Sequence, residues 1–338
     1  MVHTVKAMAL LQRSQMNNLL QKIRHLKILV VGDCMLDHYI FGDVHRISPE
    51  APVPVVNVER ETYRLGGACN VAINVRQLGA QVELIGWVGQ DKAGMQVRQL
   101  LQDAHIAFPE ACTQSTIETI VKTRVVVRNQ QLCRLDREST FPLKWVDKLN
   151  ILIAEKIKDV DGVIVSDYGK GSLAQPVFDH LIQLKRKENF FLAVDPKPIR
   201  ELIYKDVDLL TPNRTEALQL ASLGTKHLKP FPVQDVIARI QAVHATRYLG
   251  ITLGEEGIVM VGPERRIELF PTLAKEVFDV SGAGDTAIAA LTLALCAEEN
   301  MTQAAYFANV AAGIVVGKVG TATVSAQEIL SYVESLTA

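Results

Sequence analysis

The chain has 338 residues, of which 48% are hydrophobic and 22% are charged, and its formal net charge is −1. This length and composition allow a large, well-packed unit, and the near-neutral charge gives no basis for broad electrostatic binding to nucleic acid or to a membrane surface. The first residues lack the apolar stretch of a signal peptide and no apolar run is long enough to span a bilayer, so we predict a cytoplasmic protein.

The cysteines give no sign of a disulfide framework or a zinc site. They form no C-x-x-C pair and have no histidine cluster at zinc-ligand spacing. The five are Cys34, Cys69, Cys112, Cys133 and Cys296. An odd number of scattered cysteines predicts reduced thiols.

The N-terminal region is expected to be a helical extension. Residues 1–26 are polar with scattered leucines, which predicts one amphipathic helix leading into the fold. A short apolar run at residues 28–31 then ends at Gly32 and Asp33, as expected of a buried first strand. We therefore predict a main domain over residues 27–338.

Two regions depart from the pattern of the rest of the chain. Residues 46–54 hold three prolines, which exclude a helix and favour an extended or edge segment. Residues 120–137 are rich in valine with charged residues interleaved. We predict that strands at about residues 40–60 and 118–137 form a small sheet outside the main one.

From residue 144 onward, helix-like and strand-like segments alternate. The predicted helices cover residues 144–158, 175–187, 213–221, 283–296 and 302–316. The predicted strands cover residues 162–165, 190–194, 207–210, 248–253 and 258–261. This alternation predicts an α/β fold with a doubly wound, mostly parallel sheet and helices on both faces.

The carboxyl ends of the predicted strands carry polar residues and a glycine. Ligands of such sheets bind beyond these ends, so we expect the residues there to lie close together. They are Asp33, Asp167, Asp195, Asn213 and Gly254.

The most informative local motif is Asp-Val-Ser-Gly-Ala-Gly-Asp-Thr at residues 279–286. Gly282, Ala283 and Gly284 carry little side-chain bulk, so a phosphate could approach their backbone, and the unpaired N–H groups of the following helix would attract it. A carboxylate at Asp285 would repel a phosphate but could act as a base beside it. That pairing is what phosphoryl transfer to a hydroxyl requires.

The same residues allow two other interpretations. Asp285 could cap a helix. Residues 282–287 also satisfy G-x-G-x-x-A, the dinucleotide-binding pattern of an NAD-type oxidoreductase, although Pro271 and charged residues precede it rather than a buried strand.

Two separate motifs resemble the two signatures of the PfkB family of ribokinase-like carbohydrate kinases. Residues 66–72, which read Gly-Gly-Ala-Cys-Asn-Val-Ala, with Gly79 and Gly89 after them, match the first signature. Residues 279–292 match the second signature in full. The resemblance implies a ribokinase-like fold with a β-sheet lid and an ATP-dependent sugar kinase.

The resemblance also implies roles for individual residues. Asp285 would be the catalytic base, and the backbone amides of Gly282, Ala283 and Gly284 would form the anion hole. The residues implied to contact the sugar are Gly66, Gly67, Asn70, Asp33 and Asp37. Without the resemblance, the glycine pair would be a tight turn and Asn70 a helix cap.

Further motifs resemble the family's Mg·ATP site. Asn213 and Glu216 would lie near Mg²⁺ and the phosphates, with Glu216 acting on the metal indirectly, although the pair could equally form a helix-start cap. Thr252, Gly254 and Gly257 would line the nucleotide in a turn that is otherwise a hairpin.

Two more positions follow from the same resemblance. Asn309 lies where the family packs adenine, and a buried core asparagine fits the sequence equally well. Asp279, with Ser281, resembles positions that hold a monovalent cation such as K⁺ in some members.

Longer segments resemble one group within the family, the D-glycero-β-D-manno-heptose 7-phosphate kinases of ADP-heptose and lipopolysaccharide core synthesis. These segments are residues 46–56, 122–124, 128–131, 166–171, 195–197 and 311–325. The resemblance implies phosphorylation of the anomeric hydroxyl to the 1,7-bisphosphate. A substrate phosphate needs cations, for which Arg124, Arg128 and Lys170 are candidates, with Lys197 on the nucleotide side; solvated surface charges are the alternative.

Other functions remain compatible with parts of this pattern. They are another sugar or nucleoside kinase of the family, and a non-catalytic sugar-binding protein, which would have no need of a base at Asp285. The sequence has no H-x-G-H motif of a nucleotidyltransferase, so we expect a stand-alone kinase or the kinase part of a longer protein. Exposed edges of the lid strands predict a homodimer through the lid.

Overall fold

The computed structural model describes the backbone of residues 2–12 and all atoms of residues 13–128, 130–138, 145–199, 201–224 and 230–336. Residue 144, where a predicted helix begins, and residue 129, within a segment that carries the resemblance, lie outside these ranges. Among the described residues, no helix combines the length and apolarity needed to cross a bilayer.

In chain order the strands are β1 (Lys27–Gly32), β2 (Cys34–Ile47), β3 (Pro54–Gly67), β4 (Gln81–Ile85), β5 (Val88–Gly89), β6 (Thr113–Gln114), β7 (Ile120–Val127), β8 (Gln130–Arg137), β9 (Gly162–Ser166), β10 (Phe191–Asp195), β11 (Leu209–Leu210), β12 (Tyr248–Thr252), β13 (Ile258–Val261) and β14 (Ile267–Phe270). The helices are α1 (Val2–Ile23), α2 (Ala68–Gln77), α3 (Lys92–Asp103), α4 (Val146–Lys156), α5 (Gln175–Glu188), α6 (Arg214–Leu220), α7 (Val233–His244), α8 (Ala283–Cys296), α9 (Met301–Val315) and α10 (Ala326–Ser335).

The main sheet has the order β14-β13-β12-β11-β10-β9-β1-β4 within the described residues. The pairs from β4 to β12 are parallel, and β13 and β14 continue the sheet in antiparallel pairs. The predicted mostly parallel sheet is confirmed. Its strands are short buried runs because helices cover both faces.

Side chains of β1 alternate between two hydrophobic cores. Ile28 and Val30 pack in the core that also contains residues of α2, α8 and α9. Leu29 and Val31 pack in the core that contains residues of α4, α5 and α7. The period of two along a strand therefore gives each face of the sheet its own core.

The predicted small sheet is present and has the order β3-β2-β7-β8. Its strands are longer than predicted: β2 begins at Cys34, immediately after the first strand of the main sheet, and β3 continues to Gly67. Residues 48–53 form a turn between them, in which the Ser48 N–H donates to the Val53 carbonyl, rather than the predicted extended segment. Gly66 and Gly67 end β3, and Gly67, with a φ of 56°, is also the N-cap of α2.

The predicted N-terminal amphipathic helix is present as α1, and it packs against the main domain. Its apolar positions Met16, Leu19, Leu20 and Ile23 are buried in the core with residues of α8 and α10. These positions follow the three-and-four spacing of one helix face. Residues 13–23 therefore share a hydrophobic core with the residues that follow them.

We predict that replacing Ile23 with alanine lowers the free energy of unfolding by about 2–5 kcal/mol, because this side chain is fully buried and its removal leaves a cavity. Urea unfolding of the full chain measures the change. Gln21→Ala on the exposed side of the same helix is the control and should change stability by less than about 0.5 kcal/mol. A change of less than about 0.5 kcal/mol for Ile23→Ala as well would show that the packing of α1 does not stabilise the domain.

Candidate active site

The carboxyl ends of the parallel strands meet at one edge of the main sheet. Gly32 of β1 pairs with Ser166 of β9, and Ser166 pairs with Asp195 of β10. Asp33 and Asp167 follow directly, so three acidic residues lie side by side at this edge. The prediction that they gather here is confirmed.

Two further residues continue the same edge. Asn213 begins α6 after β11 and bridges to Thr252 at the end of β12. Gly254 follows in the turn between β12 and β13. The edge therefore extends from Asp33 to Gly254, as predicted.

Asp285 lies in the first turn of α8 and is only 3% exposed. Tyr168 donates its hydroxyl hydrogen to Asp285 Oδ1 at 2.8 Å, and Asn70 Nδ2 donates to Oδ2 at 2.7 Å. The residue in the N-cap position is Gly282, so the interpretation of Asp285 as a helix cap was wrong. Both carboxylate oxygens accept hydrogen bonds from side chains of other elements.

The surroundings of Asp285 change its acidity. Burial raises the pKa of Asp285 to about 6, the hydrogen bonds from Asn70 and Tyr168 act in the opposite direction, and the charge of Asp37 adds to the rise. The carboxyl is therefore a buried group that is ionised at neutral pH and can accept a proton from a neighbour.

The turn before α8 has the shape of an anion cradle. Gly282 has a φ of 83°, and a Cβ atom there would lie 2.8 Å from Asn70 Nδ2, so a side chain is excluded. A Cβ atom at Gly284 would meet no protein atom within 4 Å, so the space beside it is open. The Ala283 N–H donates to the Val280 carbonyl, which closes the turn.

Of the residues predicted to contact a sugar, Asn70 touches Asp285 directly. Asn70 lies in the first turn of α2, and its side chain reaches Asp285 instead of capping the helix, so the cap interpretation was wrong. Gly67 has a φ of 56°, and a Cβ atom there would lie 2.5 Å from the Asp33 carbonyl oxygen. Gly66 pairs with Met35 of β2, next to this close approach.

Asp33 has one occupied and one open carboxylate oxygen. Its Oδ2 accepts the backbone N–H groups of Tyr168 and Lys170 at 3.0 Å each. Its Oδ1 is buried and has no hydrogen-bond partner among the described residues. Buried polar atoms are normally paired, so this oxygen is a candidate ligand for a sugar hydroxyl.

Asp37 on β2 is fully engaged. Its Oδ1 accepts from Arg124 of β7, and its Oδ2 accepts from the Thr321 hydroxyl at 2.9 Å. This buried group joins the lid to the loop that follows α9.

The nucleotide side of the edge contains a complete capping box. Asn213 Oδ1 accepts the Glu216 N–H, and Glu216 Oε2 accepts the Asn213 N–H, each at 3.0 Å. Lys197 Nζ donates to Glu216 Oε1 at 2.9 Å. The predicted helix-start cap is therefore present. Burial, and then the charges of Glu216 and Asp285, raise the pKa of Asp195 well above its usual value.

The turn from Thr252 to Gly257 joins the antiparallel strands β12 and β13, so the predicted hairpin is present. Asn309 on α9 is buried and donates to the Pro271 carbonyl. This bond matches the core-asparagine interpretation.

Asp279 accepts two backbone N–H groups, from Ser281 on Oδ1 at 2.9 Å and from Gly320 on Oδ2 at 3.0 Å. Over the described ranges, no group of three or more histidine, cysteine or acidic side chains is arranged to hold a metal ion.

The predicted cationic residues are all paired with carboxylates. Lys170 Nζ lies 2.6 Å from Glu138 at the end of β8, beside Lys122, which lies 3.7 Å from the same carboxylate. Arg124 reaches the buried Asp37, as described above. Lysine and arginine side chains, each paired with a carboxylate, therefore lie where the lid meets the main sheet.

Arg128 is not brought to the site. It pairs with Asp43 at the outer end of the lid and its side chain is 72% exposed. It lies one residue beyond the end of β7, six residues after Lys122, the residue opposite Asp37, and six residues of extended chain span about 20 Å. Its prediction as a substrate ligand was wrong for this reason.

Tyr168 was missed as a site residue, although it lies in the predicted segment 166–171. Its position could have indicated a role, because it lies just beyond the end of a predicted strand and directly before Gly-Lys-Gly. Asp195 and Lys122 were likewise included in the segments 195–197 and 122–124, but neither of them was assigned a role in binding or catalysis. Asn74, which donates to the Asn70 carbonyl at 2.8 Å and accepts from Thr286 at 3.1 Å, had no sequence signal beyond its helix.

The dinucleotide interpretation of residues 282–287 was wrong. That pattern requires a strand directly before the glycines, whereas β14 ends at Phe270 and the chain from residue 271 to 282 is irregular.

Comparisons with known proteins agree with this geometry. A family model described as pfkB family carbohydrate kinase matches residues 25–328. The Bifunctional protein HldE of Helicobacter acinonychis is 42% identical over 308 residues, which are 90% of this chain and 65% of the relative. The protein of the same name from Haemophilus influenzae is 41% identical over 308 residues, which are 91% of this chain and 63% of the relative. The chain thus spans less than two thirds of these relatives.

A solved structure of phosphofructokinase-2 from Escherichia coli in complex with substrates and products shares the fold. Its TM-score is 0.75 at 18% identity, and the alignment covers 93% of this chain and 100% of the other. The ribokinase-like α/β fold is thereby confirmed. On the family match and the identity to its curated relatives, the chain belongs to the pfkB family of carbohydrate kinases and is an ATP-dependent sugar kinase.

Proposed function

We propose that this kinase transfers the γ-phosphoryl group of ATP to the anomeric hydroxyl of D-glycero-β-D-manno-heptose 7-phosphate. The product is the 1,7-bisphosphate, an intermediate of ADP-heptose and lipopolysaccharide core synthesis, and the reaction takes place in the cytoplasm. The observation that carries the chemistry is the buried Asp285 carboxylate beside the open glycine cradle at the start of α8. Resemblance to the heptose kinases and the identity to the HldE proteins support the substrate.

The two activities of the bifunctional relatives need not both be present here. The family match ends at residue 328 and accounts for a carbohydrate kinase. We assign this chain the kinase activity, whether it acts alone or within a longer protein.

In the proposed mechanism Asp285 removes the proton from the anomeric hydroxyl as that oxygen attacks phosphorus. The open oxygen of Asp33 and the side chain of Asn70 orient the sugar. The backbone N–H groups of Gly282 and Gly284 and the positive end of α8 stabilise the negative charge on the transferring group, while the Ala283 N–H closes the turn. The closed lid excludes water.

Kinases of this family use Mg²⁺ with ATP, and the acidic groups near Asn213 fit a cation. Asp195 and Glu216 are close enough for one charge to raise the pKa of the other carboxyl, an arrangement that a hard cation with oxygen ligands would relieve. When bound, Mg²⁺ would neutralise phosphate charge, with Glu216 and Asn213 near it and Lys197 beside Glu216. A K⁺ ion beside Asp279 is proposed from the family resemblance alone.

The nucleotide would lie along the outer part of this edge. Thr252, Gly254 and Gly257 belong to one hairpin, and a Cβ atom at Gly254 would meet no protein atom within 4 Å, so its backbone is approachable. Asn309 would act by holding the Pro271 carbonyl at the adenine end.

The sugar phosphate is expected to bind Lys170 and Lys122. Both lysines pair with the carboxylate of Glu138, and we expect a phosphate to take its place. Because a phosphate carries more charge than a carboxylate, it would replace Glu138 favourably between the two lysines.

We predict that ADP is released from Mg·ATP with this heptose phosphate, and much less with fructose 6-phosphate, ribose or adenosine. Asp285→Asn should lower the rate about 10²–10⁴-fold because the base is lost. Asp235→Asn, an exposed change on α7, is the control. Near-wild-type turnover of the folded Asp285→Asn protein would contradict the base, whereas preference for another acceptor would contradict only the substrate.

The activity should depend on pH through Asp285. A base works in its ionised form, so we expect kcat/KM to be flat above pH 7 and to fall about tenfold per pH unit below about pH 6, following the raised pKa of this carboxyl. Initial rates in buffers of constant ionic strength from pH 4.5 to 8.5 measure the profile. A profile that stays flat down to pH 5 would show that another group is the base.

We also propose that two copies pair through the lid. β8 is exposed along its whole length at the edge of the lid sheet, and the sheet exposes large apolar side chains. These are Ile47, Val58, Tyr63, Leu132 and Leu135. An exposed edge with apolar neighbours favours pairing with a second copy.

We predict a dimer by sedimentation equilibrium and a monomer for Leu135→Glu, because a charge would be placed in the paired lids. Ile151→Glu on α4 is the matched control, since the two side chains are 58% and 59% exposed. It should remain a dimer. A monomeric wild type, or a dimeric Leu135→Glu protein, would contradict pairing through the lid.

A further inference from the structure

Tyr168 connects the two carboxylates at the centre of the site. Its hydroxyl donates to Asp285 Oδ1 at 2.8 Å and its backbone N–H donates to Asp33 Oδ2 at 3.0 Å. It is the second residue after β9, in a turn where Gly169 and Gly171 have positive φ values of 71° and 100°. One residue therefore holds both the proposed base and a proposed sugar ligand.

The turn that carries Tyr168 is itself held in place. The Gly169 N–H donates to Asp167 Oδ1 at 2.7 Å, and the Lys170 N–H donates to Asp33 Oδ2 at 3.0 Å. Since successive N–H groups are bound to carboxylates at the sheet edge, the position of the ring is fixed relative to β1 and β9.

The groups around Asp285 act on it in opposite directions. Burial and the negative charge of Asp37 on β2 favour the neutral acid. The ionised carboxylate of Asp285 in turn raises the pKa of Asp195 at the end of β10, so these two charges oppose each other. The groups that favour the ionised form are the two neutral donors, Asn70 from α2 and Tyr168.

Tyr168 itself stays a donor. Burial, and next the charge of Asp285, raise the pKa of the Tyr168 hydroxyl well above 10. Its proton therefore remains in place throughout the reaction, and the proton released by the sugar hydroxyl goes to Asp285.

We propose that Tyr168 is a positioning residue whose hydroxyl holds Asp285 in the ionised form and orientation that accept the sugar proton. It thereby sets the pH below which the kinase loses activity. This inference rests on the proposed role of Asp285 as the base.

The test is the pH profile of Tyr168→Phe with Mg·ATP and D-glycero-β-D-manno-heptose 7-phosphate. The acid limb of kcat/KM should move upward by about one pH unit, which is a tenfold loss at pH 5.5, while the rate at pH 8.5 stays within about threefold of wild type. Tyr204→Phe removes the same atom from a buried ring that packs against Phe178 and His244, and its acid limb should not move. An unmoved acid limb in Tyr168→Phe, or a loss that appears only as a higher KM, would overturn the proposal.

A second measurement does not need turnover. The carboxyl of Asp285 has a higher pKa in the folded than in the unfolded chain, so its contribution to stability falls as pH rises through that interval. Removing the Tyr168 hydroxyl would raise the pKa of Asp285 further, so the loss of stability with rising pH would continue to higher pH. The free energy of unfolding of Tyr168→Phe relative to wild type should therefore drop by about 1.4 kcal/mol, the equivalent of tenfold, between pH 5 and pH 8. A difference that is constant over this range would overturn the proposal.

The two hypotheses fail in different ways. If Asp285→Asn keeps its turnover, the assignment of the base fails. If Asp285→Asn is inactive while the acid limb of Tyr168→Phe equals that of wild type, only the role of Tyr168 fails. The double variant should lose no more activity than Asp285→Asn alone if Tyr168 acts through Asp285, and a further loss would overturn that route.

Discussion

The rest of the site depends on keeping one carboxylate charged inside the protein. Asp285 is almost fully excluded from solvent, and a buried charge is stable only when donors replace the lost water. Those donors come from different parts of the fold, Asn70 from α2 and Tyr168 from the turn after β9. The packing of α2 and β9 against α8 is therefore constrained by hydrogen-bond geometry as well as by apolar contact.

A second line of polar contacts makes this packing specific. Asn74 lies one turn after Asn70 on α2 and accepts a hydrogen bond from Thr286, the residue after the base. It also donates to the Asn70 carbonyl. The two asparagines fix the separation of the helices, and the missing side chain at Gly282 lets the Asn70 amide approach.

The lid and the site are parts of one structure. Because β2 starts at Cys34 and β3 ends at Gly67, both strands leave the main sheet at the proposed sugar site. The inner end of the lid is tied to the loop after α9, where the Tyr39 hydroxyl accepts the Thr321 N–H at 2.8 Å and Arg64 donates to the carbonyls of Val319 and Thr321. A ligand at Asp37 would thus act directly on the base of the lid, while the outer end around Arg128 is exposed.

The sequence was sufficient to predict those parts of the fold in which the local residue pattern and the burial of the residues agree. The alternation of helices and strands after residue 144 predicts the sheet, and the polar residues after buried strands predict its binding edge. The lid was predicted from proline and valine content, but the lengths of its strands were not. Most residues of β3 are exposed, and buried and exposed residues do not alternate regularly along it, so its ends have no clear sequence signal. Arg128 was misplaced because the valine content of residues 120–137 predicts strands but does not say how far they extend from the main sheet.

Side chains that meet across the fold had no local signal. Tyr168 and Asp285 are 117 positions apart, and no period relates them. The capping interpretations of Asn70 and Asp285 were reasonable locally and failed because Gly67 and Gly282 occupy the cap positions. At Asn213 the predicted cap is present, and the role proposed for this residue near the nucleotide is compatible with it.

The arrangement at the sheet edge is costly in the absence of ligands. Burial raises the pKa values of both Asp195 and Asp285, and neighbouring charges add to the rise, those of Glu216 and Asp285 at Asp195 and that of Asp37 at Asp285. Such crowding weakens the folded state at neutral pH, because the unfolded chain ionises these groups at lower pH. Carboxyl groups with raised pKa values cluster at functional sites. A cation near Glu216 and hydroxyl donors from a sugar would each reduce the repulsion, so binding of the two substrates is expected to stabilise the same part of the fold that their reaction uses.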